Sequence, residues 1–446
     1  FVMSLSTLHS LQDTQAAFYR DFRFAEVFVS LKRAPESVAD RIRDIPGVDY
    51  VQTGVVAGVN LDVEGYENPA TALLVSVRED SGSQLNQIYL REGRHVDPTR
   101  DDEAVVSEAF AEAQKLSPGD RVSVIINGHK KELTLVGLAL SPEFVNQIKP
   151  GAIVPDFKSY AILWMAEKPL ATAYDMYGAF NNVALTLTPG ANAAEVIDQL
   201  DAILARYGGR GSYARADQLS HRFLSEEFRQ LESMATVYPT IFLGVAAFLL
   251  NVVFSRLFQT EREQIATLKA FGYSNWSIGI HYLQFVGVIA SVGIVLGIIG
   301  GGWLGQGLSS MYMDFYRFPF LHYSIGPAVV TAAALISFAA SVGGTIFAVR
   351  RAAKQPPAEA MRPEAPARYR RSFIDRSILG RAFSEPARMI VRNIQRRPVK
   401  ALTTSFGIAA SFAILVMGLF FGDSIEYMLD VQFRLSERDD ISVSFV

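Results

Sequence analysis

The sequence predicts a polytopic α-helical membrane protein with a large α+β domain on the far side of the membrane from the cytoplasm. Three observations lead there. Half of the 446 residues are hydrophobic and the mean hydropathy is +0.18, too apolar for an ordinary soluble chain and too polar for a pure bundle of spans. Four long stretches carry no formal charge apart from a histidine, each long enough to cross a bilayer. The net charge of −3 hides an asymmetry: residues 1–236 hold 22 Lys+Arg against 32 Asp+Glu, whereas residues 350–400 hold 14 against 4.

In chain order, residues 1–5 read as the end of a transmembrane helix whose beginning is missing, so the sequence is expected to be a fragment. Residues 6–234 form the extracytoplasmic α+β domain. Within it, a split α/β module occupies about 26–70 and 178–220, around a β-rich insert at about 70–178. Val27, Val29 and Leu31 alternate as a strand, 34–45 is a short helix, and 49–56 returns as a strand. The stretch 182–188 is another strand, 191–207 a helix with Val196, Leu200 and Leu204 on one face, and 211–214 a last strand. In the insert, Asn127-Gly128 between 121–126 and 131–138 signals a hairpin. Residues 104–115 read as the insert's helix.

Residues 219–234 predict a polar helix running into the first complete span, at about 235–257. Further spans are expected at about 278–302 and 325–349, with a fourth at 401–422. The basic connection at 350–400 belongs in the cytoplasm because Lys and Arg accumulate in cytoplasmic loops. It combines a Pro-rich linker with a basic amphipathic helix, 384–397, suited to the membrane surface. Alternation then places the 303–324 loop and residues 6–234 outside, and the segment 260–272 inside. Residues 423–446 would begin a second external region.

The segment 260–272, TEREQIATLKAFG, is too short and too charged to span. Ile265, Leu268 and Phe271 share one arc of a helix, Arg262 and Lys269 share another, and Gly272 stops it. Gly293, Gly297, Gly301 and Gly305 recur every four residues on one face, a spacing that allows close helix packing or lines a groove.

An internal repeat is also visible. Shifted by 414 positions, Val2, Met3, Leu5, Ser10, Arg20, Val29 and Ser30 match Val416, Met417, Leu419, Ser424, Arg434, Val443 and Ser444. The absence of cysteine excludes disulfides and thiolate metal sites. The six histidines are scattered without ligand spacing, so no metal site is expected. No phosphate-cradling G-x-x-x-x-G-K-[ST] run, G-x-S-x-G or H-E-x-x-H occurs, so neither catalytic nor cofactor-binding residues are assigned. Ionisable groups lie in connections or near span ends, which argues against a secondary transporter.

Several of these stretches resemble the FtsX/MacB-like permeases of bacterial ABC transporters. The strongest likeness is Arg262, Glu263, Gln264, Ile265, Leu268, Lys269, Phe271 and Gly272 in their run, with Gln264 where that family frequently has glutamate. The Pro-Pro-Ala-Glu-Ala-Met-Arg-Pro stretch after the third uncharged span resembles the family's exit from its last span. Residues 390–407 resemble the approach to its first span. Residues 89–140 are similar to the family's periplasmic core domain. The order matches a two-repeat subgroup. The resemblance implies a bacterial inner-membrane permease subunit whose coupling helix, 260–272, is gripped by a cytoplasmic ABC ATPase dimer. That partner would bind ATP and Mg, and this chain would not be an enzyme. Membrane lipid and a periplasmic cargo or partner protein are the other expected partners; nucleic acid is not. Export or extraction of a lipid, lipoprotein or amphipathic peptide is the expected activity, and mechanotransmission to a periplasmic partner without transport is the alternative.

Overall fold

The computed structural model describes residues 1–63, 70–78, 84–149, 155–354 and 398–436, with isolated positions 152, 356, 386, 389, 390 and 394. The chain falls into two compact units: residues 1–235 with 300–329, and residues 236–299 with 330–446.

In the first unit, helix α1 (Val2–Asp21) leads into strand β1 (Val27–Pro35), whose inward residues Val27, Val29 and Leu31 are buried. A short α2 (Val38–Arg43) follows, then β2 (Val48–Gly54). The expected helix over 34–45 loses its first residues to β1, because Ala34 and Pro35 pair with Phe180 and Ala179.

The chain then changes sheet at Val55. β3 (Val56–Asp62) and β4 (Ala70–Val77) pair antiparallel, so the insert begins near residue 56 rather than 70. The alternation of apolar residues is continuous through this crossing and gives no sign of it. Strands β5 (Tyr89–Gly93) and β6 (Glu103–Ser107) come next, followed by α3 (Glu108–Gln114). Residues 103–107 are thus a strand buried along its length, not the start of a helix. β7 (Arg121–Ile126) and β8 (His129–Leu140) form the expected hairpin, with Asn127 and Gly128 at positive φ. β9 (Tyr160–Ala166) and α4 (Glu167–Ala173) complete the insert.

β8 pairs with β7 at one end and with β5 and β6 at the other. Strands β7, β8, β6, β9, β4 and β3 therefore close on themselves, with β5 along the outside. Closure removes exposed edges. The interior is filled by Leu74, Val106, Val124, Leu133, Leu135 and Leu163. Gly93 faces Gly137 across β5 and β8, and a Cβ on Gly93 would come 2.3 Å from the Val136 carbonyl.

β10 (Ala179–Leu187), α5 (Ala193–Leu204) and β11 (Tyr213–Ala214) return to the first module. Its sheet runs β11-β1-β10-β2, all antiparallel. α2 and α5 cover one face through Ile42, Val196, Leu200 and Leu204.

Helix α6 (Leu219–Thr260) is continuous over 42 residues, about 63 Å at 1.5 Å per residue and twice the apolar thickness of a bilayer. α7 (Arg262–Ala270), α8 (Asn275–Phe315), α9 (Pro327–Lys354) and α10 (Pro398–Asp430) follow. Among the described residues, four helices are long and apolar enough to cross a membrane: α6, α8, α9 and residues 404–430. The loop expected at 303–324 is shorter, because α8 continues to Phe315. Gly305 and Ser309 keep packing against Thr7 of α1, so the helix retains partners there. Apart from positions 386, 389, 390 and 394, the amphipathic helix expected at 384–397 lies outside the described residues, as do most of the 350–400 linker and residues 437–446. The aligned stretches 2–21 and 416–435 are both helical, the second through α10 and a π-helical turn.

Candidate functional site

The site begins with how α7 is held. Glu261 stands at its N-cap and directs its carboxylate not to the helix but to α8, accepting a 2.6 Å hydrogen bond from the Tyr282 hydroxyl. At the other end Gly272 takes φ +95°, a left-handed conformation that glycine adopts without Cβ cost. Its N–H donates to the Lys269 carbonyl and that of Tyr273 to the Leu268 carbonyl, closing the helix. Ser274 then caps α8 through the Ser277 N–H.

Two faces result. Ile265 is 4% exposed and Ala266 fully buried. Ile265 packs in a cluster with Phe254 and Phe258 of α6, Ile278 and Tyr282 of α8, and Val349 and Ala352 of α9. Lys269 lies on the same side, and its ammonium donates to the Ala353 carbonyl at the C-terminal end of α9. Carbonyls there lack intrahelical partners and attract positive charge. Partial desolvation lowers the Lys269 pKa from its ordinary value.

The opposite face is open. Glu263 and Gln264 are exposed, Leu268 is 39% exposed and Phe271 80%. Tyr273 and Trp276 continue this surface beyond the helix. The two arcs read from the sequence are therefore redistributed. Ile265 turns inward while Leu268 and Phe271 turn outward, and Lys269 reaches the Ala353 carbonyl of α9.

The glycine stripe is divided as well. A Cβ on Gly301 would meet Val2 at 3.0 Å, and one on Gly305 would meet the Ser6 hydroxyl at 2.8 Å, so these two glycines admit α1. Gly293 and Gly297 have no neighbour within 4 Å of such a Cβ among the described residues. A different glycine makes the tight contact between α6 and α9: a Cβ on Gly344 would lie 2.5 Å from the Ala247 carbonyl. Asn251, one turn along α6, donates a 2.8 Å hydrogen bond to the Gly344 carbonyl. An amide within an uncharged span needs such a partner.

A bundle of apolar helices with a small amphipathic helix clasped between the first two of its set, on a chain that also carries an α+β lobe, defines a multi-pass membrane protein of permease type. Residues 236–357 match the FtsX-like permease C-terminal family, and residues 4–203 match the MacB-like periplasmic core domain. The chain belongs to the FtsX/MacB-like permeases. A relative in Mycobacterium tuberculosis, an uncharacterized ABC transporter permease protein, is 26% identical over 287 residues, covering 63% of this chain and 30% of the relative. The chain thus spans under a third of the length of that relative. Among solved structures, the periplasmic region of MacB from Actinobacillus actinomycetemcomitans is 10% identical with a TM-score of 0.29, covering 47% of this chain and 95% of that one. The extracellular domain of the noncanonic ABC-type transporter YknZ from Gram-positive bacteria is 14% identical with a TM-score of 0.28, covering 43% and 98%.

Proposed function

We propose that this chain is the membrane subunit of an ATP-driven ABC system and that α7 is its coupling helix. A separate cytoplasmic ATPase dimer would grip the open face formed by Glu263, Gln264, Leu268 and Phe271, and it would bind the ATP and Mg. The observation that carries this reading is the two-faced seating of α7. Its inner face is keyed to α6, α8 and α9 together, so a push on the outer face moves three helices at once. Lys269 fixes α7 at the same end of α9 as Arg350, Arg351 and Lys354, the basic end that belongs in the cytoplasm of a bacterial inner membrane.

The work done outside the cytoplasm is export or extraction of a lipid, lipoprotein or amphipathic peptide. The second reading is control of a periplasmic protein without transport. The four spans expected from the sequence hold no Asp, Glu, Lys or Arg except Arg256 near the end of the first, which suits either. Copurification of an ATPase with the full-length chain tests the partnership. Leu268→Asp or Phe271→Asp should uncouple that ATPase without unfolding the lobe; unchanged complex and unchanged activity in both variants would refute the role of α7. Cargo movement in reconstituted vesicles, set against ATPase-dependent activation of a bound periplasmic enzyme, separates the two activities.

A further inference from the structure

Charge fixes where α6 crosses the membrane but not where α8 does. On α6, Glu232 and Arg256 bracket the uncharged residues 233–255, about 35 Å of helix, close to the apolar thickness of a bilayer. On α8 no Asp, Glu, Lys or Arg occurs before Asp314, so residues 275–313 are all uncharged. They measure about 58 Å, nearly twice that thickness, and charge alone would let the crossing slide along the helix.

Two of the chain's three tryptophans mark it instead. Trp276 is 76% exposed in the first turn of α8, and Tyr273, just before the helix, is 57% exposed. Trp303 is 75% exposed. Residues 276 and 303 are about 40 Å apart along an α-helix, against about 40–45 Å for a bilayer with both headgroup layers. An indole combines a large apolar ring with one N–H donor, and it suits the layer where hydrocarbon meets headgroups.

The surroundings agree at each end. At the α7 end, Arg256 of α6 and Arg350, Arg351 and Lys354 of α9 are exposed, cations suited to lipid phosphates. The Glu261 carboxylate meets the Tyr282 hydroxyl there, and helix geometry aims that side chain back toward the N-terminus of α8. Beyond Trp303 a polar seam begins. The Gly305 carbonyl accepts from Thr7, and the Tyr312 hydroxyl donates to Glu227 at 2.6 Å. A carboxylate at Tyr312 sets that turn outside the apolar layer.

We propose that Trp276 with Tyr273 lies in one headgroup layer and Trp303 in the other, so that residues 277–302 cross the bilayer. The aromatic surface that follows α7 therefore faces lipid headgroups and not the ATPase, whose grip ends at Phe271. Residues 304–315, about 18 Å of helix, stand outside the bilayer as a stem joined to the lobe. The inference rests on the spans and not on the role of α7.

Trp164, the third tryptophan, is 3% exposed inside the lobe and stays in place as a background signal. The full chain is placed, without ATPase, in nanodiscs whose phospholipids carry bromine either high on the acyl chain or near its terminal methyl. Subtracting Trp276→Phe or Trp303→Phe from the parent isolates each indole. Both should lose more fluorescence to shallow bromine than to deep bromine, and little to acrylamide in the water. The variant with both changes, left with Trp164, should lose none to either lipid. Stronger quenching by deep bromine at either indole overturns the proposal, as does quenching by acrylamide without quenching by bromine. A second measurement addresses the choice of partner. Tyr273→Ala with Trp276→Ala should change the affinity of the copurified ATPase by less than about threefold. A roughly hundredfold loss would give this surface to the ATPase and overturn its assignment to lipid, whatever the bromine result.

Discussion

Replacing Leu268 and Phe271 together by alanine separates gripping from folding. Complete burial of a Leu or Phe side chain stabilises by about 1.5–3 kcal/mol. Phe271 is 80% exposed, so about 2 kcal/mol of that remains for a partner to realise. Leu268, at 39%, retains about 0.8 kcal/mol. The double variant should therefore weaken ATPase binding by about 3 kcal/mol, roughly a hundredfold. Its own stability should fall by only about 1 kcal/mol, from the part of Leu268 already buried, because neither side chain belongs to the cluster around Phe254 and Tyr282. Ile265→Ala makes the contrast: that side chain is 4% exposed, and its truncation should cost about 2–4 kcal/mol of stability. The assay is a titration of nanodisc-embedded chain with its ATPase, run beside thermal unfolding. A double variant that melts as expected and still binds within about threefold of the parent would refute the assignment of the gripped face.

Gly344→Ala should force α6 and α9 apart, at a cost of about 1–3 kcal/mol, because its Cβ would meet the Ala247 carbonyl and Cα; thermal unfolding in detergent checks this. Asn251→Leu should cost less, about 1 kcal/mol, by removing one interhelical hydrogen bond. Arg91→Ala should cost about 3 kcal/mol, since it strands Glu108, which is 8% exposed, and frees the 318–319 carbonyls; adding Glu108→Gln should restore part of that. Glu143 also predicts a pH dependence of stability. Its folded value, about 7, is raised above the ordinary 4.5, so its contribution is full below 4.5, declines between 4.5 and 7, and is absent above. The parent should therefore lose about 3 kcal/mol relative to Glu143→Gln between pH 4.5 and pH 8, measured as the difference between their unfolding free energies.

Much of this was legible because the signals were local. Uncharged runs, Asn127-Gly128, the period of Val196, Leu200 and Leu204, and Gly272 each report on neighbours within a few residues. The departures have the opposite character. The alternating run through Val51, Thr53 and Val55 continues without a break while the chain passes from one sheet to the other, and which strand pairs where is a long-range fact. Residues 104–107, Ala-Val-Val-Ser, are β-branched at the centre, yet the alanine-rich stretch after them reads as helix throughout. For α7 the periodicity showed that two faces exist; which one is buried depends on where α6, α8 and α9 stand. Glu143 left no mark in the sequence, because its unusual setting is built by residues 57 positions before it and 75 after it.

Val2, Met3 and Leu5 recur as Val416, Met417 and Leu419, but of the residues that tie α1 to its surroundings only Ser10 recurs. Thr7 donates to the Gly305 carbonyl and accepts from Ser309, Ser10 exchanges hydrogen bonds with Ser324, and Thr14 accepts from the His322 N–H. Their counterparts at the 414-residue shift are Phe421, Ser424 and Met428. Only the serine is kept, so the two helices share a frame without sharing a seam. The hydroxyls of α1 are buried and must be satisfied, whereas Phe420, one position before the counterpart of Thr7, is exposed over 65% of its surface. Thr7→Val, nearly isosteric, should then destabilise the chain by about 1–2 kcal/mol, since it removes one hydrogen bond and leaves the Ser309 hydroxyl without its acceptor. Phe420→Leu should be within about 0.5 kcal/mol of the parent. Equal effects of the two changes on thermal unfolding would mean that both copies are held in the same way, and that the hydroxyl seam is incidental.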